Sequence, residues 1–228
     1  MKLIDQVLSA IAPVQCVACG RDGHALCLSC AGNIEQLPPR CAGCKALSDG
    51  FRTCSSCRWL GIHSVFVATR YEGVAEKLVH MYKFTCVRQT VTPVVAIMHG
   101  ADTRFSGEVI FCPLPTANPR IRLRGFDHAM LMTREYWRGL PSEERARSSV
   151  KALLRRTTNT RQLGSSRTQR IQQAKDAFEL KDASMVGGRS IVLVDDVVTT
   201  GASLAGAAAA LKAAGAKRIY AVVFAQKY

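Results

Sequence analysis

The sequence predicts an α/β fold, a largely parallel sheet flanked by helices, preceded by a small cysteine-rich module. Three observations predict it. Eight of the ten cysteines lie between Cys16 and Cys57 in four CxxC pairs. From about Trp59 onward, apolar runs of strand length alternate with amphipathic runs of helix length. Near the C-terminal end, SIVLVDDVVTTG (Ser190 to Gly201) joins a continuous aliphatic run to two carboxylates and a small-residue turn.

Composition narrows the classes. With 228 residues and 48% hydrophobic side chains, the chain is long and apolar enough for one ordinary domain plus a small module, which excludes wholesale disorder. No apolar run reaches the ~18 residues of a membrane span, because the longest candidate, Ser190 to Val198, is interrupted by Asp195 and Asp196. Met1 to Gln15 has only Lys2 as a basic residue, carries Asp5 within its apolar stretch and lacks a small-residue cleavage site. It reads as a short leading helix, and a cytoplasmic protein is expected. The net charge of +14 and pI near 9.7 favour polyanionic partners, whether nucleic acid or phosphorylated metabolites.

The four pairs are Cys16/Cys19, Cys27/Cys30, Cys41/Cys44 and Cys54/Cys57. In a reducing compartment these thiols stay free, and four evenly set pairs exceed what a redox motif needs. Zinc takes four thiolates tetrahedrally and a CxxC turn brings two sulfurs to one ion, so eight cysteines make two closed structural sites. Consecutive pairing closes the shorter loops and is preferred on entropy, with the interleaved cross-brace as the alternative. His24 and His63 lie nearby, but the cysteine count is already complete. Few large apolar side chains accompany the cysteines, so metal binding must supply folding free energy. Residues 1–60 therefore read as a double zinc ribbon and 61–228 as the α/β domain. Cys86 and Cys112 stand alone in apolar surroundings and read as small buried hydrophobes.

In the second domain, Ser64 to Arg70 reads as a strand, Val74 to Tyr82 and Thr92 to His99 as helices, and Glu108 to Cys112 as a strand entering Pro113-Leu114-Pro115. Gly125 to Gly139 and Ser142 to Leu154 carry helical segments around a Gly-Leu-Pro break. Ile191 to Val194 has the unbroken aliphatic character of a central parallel strand buried on both faces. Thr199-Thr200-Gly201 leads into an alanine-rich helix that Gly215 stops, and Arg218 to Phe224 forms a further strand. Such a loop presents backbone N–H groups and two hydroxyls to a phosphate, assisted by the helix dipole. Asp195 and Asp196 suit the two vicinal hydroxyls of a ribose, so the ligand implied is a ribose bearing a 5-phosphate.

These residues carry a resemblance. VLVDDVVTTGAS resembles the 5-phosphoribosyl 1-pyrophosphate (PRPP) motif of type I phosphoribosyltransferases. Nearly the whole chain resembles the ComF family (ComFC/GntX-like), which joins an N-terminal double zinc ribbon to such a domain. The pattern recurs at Lys83-Phe84, at Pro113-Leu114-Pro115 followed by Arg120 and Arg124-Gly125-Phe126, at Leu154-Arg155-Arg156 through Gln162, and at Ala177-Phe178. The resemblance implies that Asp195 and Asp196 hold the ribose hydroxyls. Val198, Thr199, Thr200, Gly201, Ala202 and Ser203 would wrap the 5-phosphate, Val197 would join the PRPP site, and Leu114 and Pro115 would belong to the pyrophosphate loop. Arg155 to Arg170 would correspond to a mobile loop. The family usually has Asn-Gln where this chain has Asp127-His128, and Asn where it has Gln173; these departures bear on the acceptor.

PRPP implies Mg²⁺ held mainly by substrate oxygens, because a pyrophosphate leaving group needs cation stabilisation. The reaction implied is displacement of pyrophosphate at ribose C1, with Asp195, Asp196 and Lys83 as the catalytic candidates and loop arginines neutralising the leaving group. Thr199 stands where purine salvage members place an aspartate base, which leaves an orotate-like pattern or no nucleobase chemistry.

A second class of function comes from charge. Between Asn118 and Lys175 there are fourteen Lys+Arg against four Asp+Glu. Arg120, Arg124, Arg155, Arg156, Arg161, Arg167 and Arg170 are candidates for contacts to pyrophosphate or to a nucleic-acid backbone. Phe126, Tyr136 and Trp137 are either stacking platforms for bases or core residues. The ComF resemblance implies handling of single-stranded DNA during natural transformation; closed four-cysteine ribbons serve equally to touch DNA or to dock a DNA-processing protein. The alternative is an active PRPP-dependent transferase with an unidentified acceptor.

Overall fold

A computed structural model of the protein describes residues 14–84, 88–101, 103, 105, 107–116, 121, 126–157 and 177–228. The expected leading helix, Cys86, Gln173, most of the Arg155 to Arg170 loop, and Arg120, Arg124, Arg161, Arg167 and Arg170 lie outside these residues.

Strand β1 (Ser64–Arg70) leads into helix α2 (Gly73–Phe84), which follows the short α1 (Leu28–Ala31) of the cysteine-rich segment. Then come α3 (Val91–Met98), β2 (Val109–Pro113), α4 (His128–Arg138), α5 (Ser142–Ala146), β3 (Ser148–Val150), β4 (Leu154–Arg156), β5 (Phe178–Leu180), β6 (Ser190–Val198), α6 (Ala202–Ala213) and β7 (Arg218–Gln226). Five strands form one parallel sheet in the order β1-β7-β6-β2-β3, and β4 pairs with β5 in a separate antiparallel hairpin. The expected parallel α/β architecture is present.

Ile191, Val192, Leu193 and Val194 of β6 are all fully buried, as a central strand covered on both faces requires. Alternation sends Ile191 and Leu193 into one core with Leu204, Ala208 and Leu211 of α6. Val192 and Val194 enter the other core with Leu78, Met98 and Met132 of α2, α3 and α4. Each large aliphatic so buried is worth about 1.5–3 kcal/mol.

The segment Ser142 to Leu154 differs from its helical expectation. Only Ser142–Ala146 is helical; Ser148 to Val150 pairs in register with Val109 to Phe111 as an edge strand, and Leu154 begins the hairpin. Trp137 Nε1 donates to Ser148 Oγ at 3.0 Å. Pairing with the edge of an existing sheet outweighs a weak local helix preference.

The cysteine-rich segment shares its core with the sheet. Cys16, Leu26, Cys27 and Phe51 join the α2/α3/α4 face, whereas Leu37, Cys41, Ala42, Cys57 and Leu60 join the α6 face. Backbone bonds tie it on: Leu37 N–H donates to Ala68 C=O at 2.9 Å, and His63 N–H to Ile219 C=O at 2.7 Å. Among the described residues no helix is long and apolar enough to cross a membrane.

Candidate functional site

The eight N-terminal cysteines gather as two sets, Cys16/Cys19/Cys27/Cys30 and Cys41/Cys44/Cys54/Cys57, the four sulfurs of each lying within 4.8 Å of one another. This is the consecutive pairing. Sulfur separations of 3.9 Å (Cys16–Cys27), 3.8 Å (Cys19–Cys27) and 3.6 Å (Cys44–Cys54) match the roughly 3.8 Å edge of a tetrahedron with Zn–S bonds near 2.3 Å. Burial raises the Cys16 thiol, but the backbone N–H groups of Cys27, Cys19 and Ala18 outweigh it and bring it to about 6. The neighbouring sulfurs of Cys27 and Cys19 push Cys30 up to about 12. Four thiols so close cannot all ionise without a cation among them, so each set is suited to one zinc ion. Zinc there would be structural, because four thiolates leave no open position.

At the C-terminal end of β6, alternation turns the two adjacent carboxylates to opposite faces of the sheet. Asp196, 4% exposed, faces α2 and α4. Lys83 Nζ, from the last turn of α2, donates to its Oδ1 at 2.7 Å, and His128 Nε2, at the first position of α4, stands 3.2 Å from its Oδ2. Burial alone would raise the Asp196 carboxyl, but the Lys83 charge and the His128 ring outweigh it and hold it well below the usual range. Asp195 is half-buried and its Oδ1 accepts from Asp196 N–H at 2.9 Å. Desolvation and the neighbouring Asp196 charge push it up, against the opposing charges of Lys83 and Arg156.

Local sequence explains the placement. Asp127 caps α4, accepting from Ala129 N–H at 3.1 Å and Met130 N–H at 3.2 Å, and so points His128 inward. The buried Tyr82 hydroxyl donates to His128 C=O, and His128 Nδ1 lies 3.4 Å from Thr116 Oγ1. His128, in the Asp127-His128 pair that the resemblance expects as Asn-Gln, thus touches the acidic pair itself. No periodicity signals that contact; only the departure marked the residue.

Val198 is buried, Thr199 exposed and Thr200 partly exposed, and Gly201 adopts φ +78° at the entry to α6. Thr200 Oγ1 accepts from Ala202 N–H at 3.4 Å, and Gly201 C=O accepts from Ala205 N–H at 2.9 Å. Leu114 N–H donates to Val194 C=O at 2.9 Å, which places Leu114 and Pro115 beside the end of β6. A cavity of about 650 Å³ opens between the end of β2 and the β4–β5 hairpin, lined by Pro115, Thr116, Asp127, Arg155, Arg156 and Lys181 but not by Asp195, Asp196 or the Thr199–Gly201 turn. Arg155 is held by Glu179 at 2.6 and 2.9 Å across the β4–β5 hairpin, and the Arg156 guanidinium lies 5.4 Å from the centre of the Phe178 ring.

The aromatic candidates divide. Tyr136 is fully buried and stacked on His99 at 4.4 Å, so it is a core residue. Trp137 and Phe126 are partly buried, Phe126 against Tyr82. Cys112 is fully buried and its thiol is pushed up to about 11 by desolvation, as a small hydrophobe would be.

The family model described as a phosphoribosyl transferase domain matches residues 149–228, a span holding the acidic pair, the Thr199–Gly201 turn and α6. None of the curated proteins matches the chain. Residues 149–228 therefore match a phosphoribosyltransferase domain, beside N-terminal cysteine clusters suited to zinc.

Proposed function

We propose that the chain binds PRPP with Mg²⁺ at the C-terminal ends of β2 and β6 and transfers its phosphoribosyl group to an acceptor. The observation that carries this reading is the sequence of parts along one strand end: a buried strand, Asp195 and Asp196, and a turn entering α6 at a left-handed glycine. Thr199 to Ser203 would take the 5-phosphate on backbone N–H groups that have no partner within the helix. Asp195, the more exposed carboxylate, would accept from the ribose hydroxyls. Asp196, already flanked by Lys83 and His128, would hold the ends of α2 and α4 in place around the sugar. Mg²⁺, when bound, neutralises the pyrophosphate leaving group; hard oxygen donors, substrate phosphates with Asp195, suit it. Arg156, near enough to Asp195 for its charge to be felt, would offset the rest. Residues 1–60 would serve as the zinc-bearing module and 61–228 as the transferase-like domain.

Calorimetric titration of Mg·PRPP into wild type and into Asp195→Asn, Asp196→Asn tests this. Heat of binding in the wild type and its loss in the folded double variant is the expected result; equal binding by both would overturn it.

A second reading is favoured by the charge distribution: a ComF-type role in the cytoplasm, handling single-stranded DNA during uptake. Ten of the fourteen net positive charges fall between residues 118 and 175. Oligonucleotide affinity should then fall steeply with salt, log K against log[salt] having a slope near −0.7 per phosphate contacted. Salt-independent or absent binding would remove it.

A further inference from the structure

We propose that the second cysteine cluster sets the shape of the phosphate loop through Leu60, so that metal at Cys41, Cys44, Cys54 and Cys57 and phosphate at Thr199 to Ser203 are coupled. The inference rests on reading Thr199 to Ser203 as the phosphate loop. Leu60 ends a 3₁₀ turn, Ser55–Leu60, that contains Cys57 and is preceded by Cys54. It is fully buried. Its two methyl groups face two glycines. A Cβ on Gly43, inside the Cys41–Cys44 knuckle, would lie 3.4 Å from Leu60 Cδ1, and a Cβ on Gly201 would lie 2.7 Å from Leu60 Cδ2. The Trp59 ring stands 3.7 Å from the same Gly201 position.

Leu60 is thus a wedge between a metal-site knuckle and the turn that begins α6. A second connection runs beside it. Gln226 Nε2 donates to Ala42 C=O at 2.9 Å in a buried bond, Gln226 pairs with Val198, and Lys227 N–H donates to Val198 C=O at 2.9 Å. The knuckle is tied in this way to the strand end from which the loop departs. The first cluster enters the core of the opposite face, with Phe51 and Phe66.

The physical consequence follows from how such knuckles are stabilised. A CxxC turn with little core of its own keeps its shape through thiolate–metal bonds. Without them Leu60 loses the backing of the Gly43 knuckle, and the nearer of the two side chains that pack on Gly201 is free to shift. A loop whose N–H groups are no longer preorganised binds phosphate less tightly. Coupling of binding free energies is reciprocal, so phosphate should in turn tighten metal at the second cluster, and slower capture of that zinc by a chelator is the readout expected of it.

Leu60→Ala in the zinc-loaded full chain tests this, with Leu26→Ala, a buried leucine beside the first cluster, as the control. Amide hydrogen exchange over 199–203, Mg·PRPP affinity and the rate of zinc capture by a chromophoric chelator are measured for each. Leu60→Ala should speed exchange over 199–203, weaken Mg·PRPP on the order of tenfold and abolish the slowing of zinc release by PRPP. Leu26→Ala should leave all three as in wild type. If Leu60→Ala does not fold, Leu60→Val, which removes the reach of the δ-methyls but keeps a branched side chain, takes its place with the same expectations. Unchanged exchange and unchanged zinc release in a folded Leu60 variant overturn the coupling. Failure of wild type to bind Mg·PRPP overturns the ligand reading instead, and the coupling is then decided by exchange over 199–203 before and after zinc removal: faster exchange supports it and equal exchange overturns it.

Discussion

Lys83 Nζ lies 2.7 Å from Asp196 Oδ1, joining the last turn of α2 to the end of β6 across 113 residues of sequence. With His128 on the other oxygen, the ion pair closes one side of the candidate site and leaves Asp195 to face the other. Adjacent carboxylates of one motif therefore stand in unlike surroundings. Asp196 is held ionised by the Lys83 charge and the contact with the His128 ring, while Asp195 is pressed toward its protonated form by desolvation and by Asp196.

Removing one partner of this largely buried pair should be costly. Lys83→Met is expected to lower stability by about 2–4 kcal/mol in denaturant unfolding, because it strands a buried carboxylate. Lys83→Met combined with Asp196→Leu should recover part of that loss. Equal stability of Lys83→Met and wild type would show the pair to be energetically idle.

Asp195→Asn should stabilise the fold while weakening PRPP binding. The folded Asp195 carboxyl is raised from the ordinary 3.8 to about 8. Between those values the folded chain holds a proton that the unfolded chain has lost, so this group's contribution to stability declines as pH rises through that window. Asparagine removes the charge altogether. The variant should exceed wild type by about 1 kcal/mol or more at pH 8, with the difference vanishing below about pH 4. Thermal unfolding across that range checks the sign.

Metal analysis of the purified chain should give two zinc ions per protein. Because the cysteine-rich segment shares both cores with the sheet, chelation should lower the unfolding temperature of the whole chain in one transition. Survival of the sheet's full stability after loss of both ions would show the segment to be an independent appendage.

Gly201→Ala should damage the loop more than an ordinary glycine substitution. The left-handed backbone alone costs about 1 kcal/mol with a side chain present. The added methyl would also meet Leu60 Cδ2 at 2.7 Å. Mg·PRPP affinity should fall at least tenfold, and Leu60→Ala in the same chain should relieve the contact but leave the backbone cost.

Local patterns carried much of this protein. The aliphatic run at Ile191 to Val194, the turn after it and the CxxC spacings each act over a few residues, and periodicity and turn chemistry are local properties. They determined the parallel α/β class, the cysteine module and the strand-end motif. The short strands Ser148–Val150 and Leu154–Arg156 escaped because edge pairing depends on a partner strand elsewhere in the chain. Loop entropy favoured the consecutive cysteine pairing that the structure shows; tertiary structure alone decided that Asp195 and Asp196 face apart with Lys83 and His128 on the second, and that Leu60 spans Gly43 and Gly201. Each of these is a contact between residues far apart in sequence, set by how the faces of the sheet are packed, and no residue's own neighbours in the chain encode it.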